Sequence, residues 1–142
     1  MSLFADQGRA QLRARYRDAW QRFRAGQLLS PLEAQIAALV SEHPEYQAAV
    51  LAEQDLERDY PAASVGSNPF LHLGLHLALR EQVATDRPAG IAQIHRRLAA
   101  SLGSAHAAEH RMIEPLAQAL WEAQRAGRPA DEQAYLQRLK QL

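Results

Sequence analysis

Four of the six histidines in this 142-residue chain fall into two pairs of equal spacing, His72 with His76 and His106 with His110. On an α-helix, residues i and i+4 carry their Cβ atoms about 5–6 Å apart on one face, a spacing that lets two imidazoles share one metal ion. On a strand the same residues would stand about 13 Å apart and could not chelate. Two such helices side by side would bring four ring nitrogens together, and Glu114, one turn beyond His110, could add a carboxylate. Imidazoles, with or without a carboxylate, suit zinc, iron, copper or nickel, and helical bundles build metal sites from facing helices. The expectation is a divalent transition metal, zinc or iron, held by His72, His76, His106 and His110. The competing reading is a metal-free helical interaction module, its histidines bonded to carbonyls or to Glu109 and Glu114.

Other chemistry is weaker. His106-Ala-Ala-Glu109-His110 matches the inverted zinc-protease pattern, in which the glutamate activates a zinc-bound water. That pattern needs a further ligand well downstream, and the stretch after His110 is short. His43 precedes Pro44 and reads as a cap or helix-junction residue, with a ligand role as the alternative. His95 sits on the flank of an apolar stripe. Glu53 falls between Val50 and Leu56 and reads as a boundary residue. There are no cysteines, which excludes disulfide frameworks, thiolate zinc sites and cysteine nucleophiles. No glycine-rich phosphate loop, dinucleotide fingerprint or serine nucleophile elbow is present.

The elements that must position these residues are helices. Alanine, leucine and arginine dominate, and β propensity is low. Leu12, Tyr16, Trp20 and Phe23 mark a first amphipathic helix ending near Gly26. Ser30-Pro31-Leu32-Glu33 is a capping-box start for a second helix. That helix carries Ile36, Leu39 and Val40 and stops at His43-Pro44. A third begins at Pro44, with Tyr46, Val50 and Leu56 inward, and residues 60–67 read as a loop. Asn68-Pro69 repeats the cap-plus-proline start. The next segment is ambiguous, because Leu71, Leu73, Leu75, Leu77 and Leu79 alternate as a strand would. Leucine, alanine and histidine are not β-branched, however, and Ala78 to Gln82 are strong helix formers, so helix is predicted. Arg87-Pro88 opens a fifth helix with Ile91, Ile94, Leu98 and Leu102. Ser104 caps a sixth with Ile113, Ala117 and Leu120 in line and Pro115 inside. Tyr135, Leu136 and Leu139 mark a last short helix.

Formal charge is zero overall but uneven. Six arginines (Arg9, Arg13, Arg15, Arg17, Arg22, Arg24) precede an acidic stretch from Glu33 to Asp59. This favours pairing between segments, or a solvated face, over a nucleic-acid surface. The longest apolar run, Phe70 to Leu79, is interrupted by two histidines and is too short to span a membrane. The first ten residues lack the apolar core of a signal peptide.

Asn68-Pro-Phe-Leu-His-Leu-Gly-Leu-His76, running on to Gly90, resembles a bacterial family known as domain of unknown function 1841. So do Ser30-Pro31 through His43-Pro44-Glu45-Tyr46, His106 to His110, and Leu120-Trp121-Glu122-Ala123-Gln124. The resemblance spans nearly the whole chain, and the Asn68 stretch is its most specific part. Relatives carry a histidine after the His-Pro-Glu-Tyr run where this chain has Gln47, so a role at that position does not transfer. The resemblance implies a recurrent domain and supplies no activity. The expected architecture is all-α, one domain over residues 1–142, an irregular or orthogonal bundle of six to seven helices. It is expected to be cytoplasmic, with a protein partner or self-association, no nucleic acid and no membrane.

Overall fold

The computed structural model describes residues 3–52 and 68–142, with side chains from Ala10 onward. Among the described residues there are seven α-helices and no strand. They are α1 (Leu3–Arg24), α2 (Pro31–Ser41), α3 (Gln47–Leu51), α4 (Pro69–Thr85), α5 (Ile91–Leu102), α6 (Ala105–Ala126) and α7 (Glu132–Lys140). A 3₁₀ turn, Pro44–Tyr46, precedes α3. The alternating leucines therefore lie on a helix, as the residue types rather than the alternation predict. No described helix is long and apolar enough to cross a membrane. Glu53, Leu56, the acidic residues Asp55 to Asp59 and the predicted loop 60–67 lie outside the described residues.

The helix starts follow from their caps. Ser30 Oγ accepts from the Glu33 N–H at 3.2 Å, and Glu33 Oε1 accepts from the Ser30 N–H at 2.8 Å, a complete capping box. Asn68 Oδ1 accepts from the Leu71 N–H at 3.1 Å, and Ser104 and Asp131 cap α6 and α7 in the same way. One start departs from the sequence reading: α5 begins at Ile91, not at Pro88. Asp86 takes a left-handed backbone (φ 50°), and its Oδ1 accepts from both the Gly90 and Ala92 N–H groups at 3.0 Å. An aspartate placed before the proline does the capping, and Gly90 supplies the positive φ (105°) of the entering residue.

Backbone contacts divide the chain into two compact units, Met1–Gly74 and Leu75–Leu142, the division falling inside α4. In the first, α1 packs on α2 and α3. Its buried residues include Tyr16, Trp20, Leu39, Val50, Phe70 and Leu73. The α1 stripe differs from expectation. Leu12 and Phe23 are half exposed, whereas Arg13 is buried with its guanidinium 4.8 Å from the centre of the Phe70 ring, a cation–π contact. Arg22 pairs with Glu33 of α2 at 3.5 Å.

In the second unit, α5, α6 and α7 pack on one another. The inward face of α6 carries Glu109, Met112, Leu116 and Ala119, while Leu120 is 47 % exposed. Of the predicted Ile113–Ala117–Leu120 line, Ile113 is buried as expected and Leu120 is not; the inward face extends instead to Met112 and Leu116, and Glu109, one turn before Ile113, is buried with it. Tyr135 of α7 donates its hydroxyl to Gln82 Oε1 of α4 at 2.7 Å, and burial pushes its phenol up.

Ser30→Ala and Asn68→Ala are each expected to cost about 1 kcal/mol in urea denaturation. The Ser30 backbone N–H, outweighing partial desolvation and assisted by the Ser30 hydroxyl and Arg22, holds the Glu33 carboxyl below its ordinary value. A carboxyl lowered in the folded state stabilises above its unfolded pKa and loses that contribution as pH falls through the folded one. Glu33→Ala is therefore less stable than the parent at pH 7, and the gap closes as pH falls below the ordinary glutamate range of about 4.3. Denaturation curves at several pH values measure it.

Candidate metal centre

In the second unit, α4 supplies His76 and Arg80, and the first two turns of α6 supply His106, Glu109 and His110. The i,i+4 spacing on α6 places the His106 and His110 rings 4.3 Å apart, centre to centre. The His76 ring lies 5.0 Å from that of His106, near-parallel to it, and 4.9 Å from that of His110. The nitrogens that these three rings offer lie within 4.8 Å of one another. Three imidazoles on one ion at 2.0–2.1 Å need donors about 3.3 Å apart, closer than the 4.8 Å that bounds this set. His76 is fully buried, His106 half-buried and His110 exposed. This histidine cluster could hold a metal ion.

The cluster has a charged support. Glu109 is buried, and its Oε1 accepts from His76 Nδ1–H at 2.7 Å. Arg80 Nε–H is shared between Oε1 and Oε2, 3.2 Å from each. Burial pushes the Glu109 carboxyl up, but the hydrogen bond from His76 and the charge and hydrogen bonds of Arg80 outweigh it and hold it below the usual carboxylate range. Glu109 is therefore an acceptor only, and His76 Nδ1 carries the proton of that bond.

The predicted residues divide as follows. His76, His106 and His110 come together. His72 is described with the first unit, where its ring meets His43 edge-on at 5.0 Å and Tyr46 at 5.5 Å. His43 does cap a helix: its Nδ1–H donates to the Leu39 carbonyl at 2.7 Å, satisfying one of the last carbonyls of α2, and its ring stacks on Tyr46. Glu114 is exposed on α6 and His95 is half-buried on α5. In the inverted protease pattern Glu109 would activate a water, but here its oxygens are engaged by His76 and Arg80. Arg80 is the residue that sequence reasoning missed. It lies four residues after His76, on the same face of α4, and that spacing is the signal that could have found it.

A family model described as "Domain of unknown function (DUF1841)" matches residues 8–141. The chain belongs to that family. No curated protein and no solved structure matches it.

Arg80→Gln is expected to destabilise the protein by about 2 kcal/mol, because it strips a buried carboxylate of a charged donor. Chemical denaturation in the presence of a chelator, which removes any contribution from bound metal, measures it.

Proposed function

We propose that this member of the DUF1841 family binds a divalent transition metal, zinc or iron, through His76, His106 and His110. The observation that supports the reading is the convergence of the nitrogens of three imidazoles within 4.8 Å of one another, on α4 and α6 of one unit. Three imidazoles on two helices supply the donor type and number that a four-coordinate transition-metal ion takes from a protein. Imidazole donors favour zinc, copper, nickel and iron over magnesium or calcium. The family match spans both units, which is the support for treating residues 1–142 as one domain, and a cytoplasmic setting belongs to the same proposal.

A metal-free interaction module is the second reading. The adjacent exposed side chains of Leu120 and Trp121 favour it, because a partner or a second copy could cover them.

Elemental analysis of protein purified without a histidine tag or chelators should find about one transition-metal ion per chain. Zinc titrated into chelator-stripped protein should raise the melting temperature, and His76→Ala, His106→Ala and His110→Ala should each abolish the rise. His72, predicted with them from its spacing on α4, is tested by His72→Ala, with His43→Ala beside it because the two rings touch. X-ray absorption of the zinc form counts the imidazoles. Protein that carries no metal, and whose melting temperature zinc leaves unmoved, would overturn the metal reading in favour of the interaction module.

A further inference from the structure

We infer that Glu109, clamped by Arg80, is the positioning residue of this centre: it fixes the tautomer of His76 so that Nε2, not Nδ1, faces the ion. The inference rests on the metal reading and deepens it. An imidazole binds a metal through a nitrogen that carries no proton, and the hydrogen bond made by the other nitrogen decides which one that is. His76 is fully buried, so water cannot set the choice. Its Nδ1 lies 2.7 Å from a carboxylate oxygen, which only accepts, and the proton must sit on Nδ1.

The carboxylate is unsuited to a second role as a ligand. Arg80 Nε–H reaches both of its oxygens at 3.2 Å, and Glu109 follows His106 by three residues and precedes His110 by one, so it is held between the two α6 rings in sequence. The pairing also sets the charge of the centre. Glu109 and Arg80 cancel, and the three imidazoles enter neutral, so the full double charge of the ion falls on nitrogen donors. A carboxylate hydrogen-bonded to a ligating imidazole makes that ring more electron-rich, which strengthens its bond to a borderline ion. The site accordingly takes a transition-metal ion such as zinc or iron in preference to the hard, oxygen-seeking magnesium or calcium.

The test compares the parent, Glu109→Gln and Glu109→Asp, using Zn²⁺ as the probe. Imidazole ¹⁵N shifts of the metal-free parent should show His76 protonated at Nδ1, and zinc should move its Nε2 resonance. Competition against a chromophoric chelator should show a loss of about 10- to 100-fold in zinc affinity for Glu109→Gln, with partial recovery in Glu109→Asp. A role confined to stability would lower the melting temperature of the metal-free protein and leave zinc affinity unmoved in the folded variant, and that outcome overturns the inference. So does a His76 ring protonated at Nε2, a measurement that needs no variant. Parent protein with the expected tautomer but no zinc binding would instead overturn the metal reading itself.

Discussion

A carboxylate shut away from water has to be held by donors, and Glu109 is held by two that arrive from the same helix. His76 and Arg80 stand one turn apart on α4, so both can reach a single α6 side chain only when α4 presents one particular face. That rotational setting turns Leu75 and Leu79 into the apolar interior of the second unit. Removing either donor would leave buried charge undercompensated, which costs far more than a surface pair is worth. The register of α4 in this unit, and the approach of His76 to the α6 histidines, follow from that one requirement.

The fold was legible because its signals are local. Ser30, Asn68 and Ser104 each announce a helix start by a side-chain oxygen that reaches an N–H three residues on, and this depends on nothing distant. The segment Leu71 to Leu79 shows how two local signals are weighed: period-two leucines suggested a strand, while the absence of β-branched residues indicated a helix, and composition prevailed. Asp86 was harder to see. Its carboxylate reaches over a proline and a glycine to cap α5, and no contiguous motif describes that geometry.

The centre was legible in part for the same reason. Spacing alone brings His106 and His110 together on α6. It cannot say which helix faces them, nor which way α6 turns. The predicted stripe holds at Ile113 and fails at Leu120: the packing centres the inward face nearer Met112 and Leu116, and Glu109, one turn before Ile113, is enclosed with them. Arg80 went unnoticed because an arginine on a helix is ordinarily solvated, and only a buried acid on a neighbouring helix gives it a different task. Similarly, Arg13 reads as part of a charged face until Phe70 is placed beneath it.

The three clustered histidines are graded in exposure, from exposed His110 through half-buried His106 to fully buried His76. Under the proposed metal binding, a gradient of that kind would order events in time. An incoming hydrated ion would meet His110 first, and His106 and then His76 would replace further waters as it moved inward. Departure would run in reverse, with the outermost bond the first to yield. Such a path would let a competing ligand in solution take hold of the ion before the innermost bond had broken, so that exchange would proceed by handover rather than by release of a free ion.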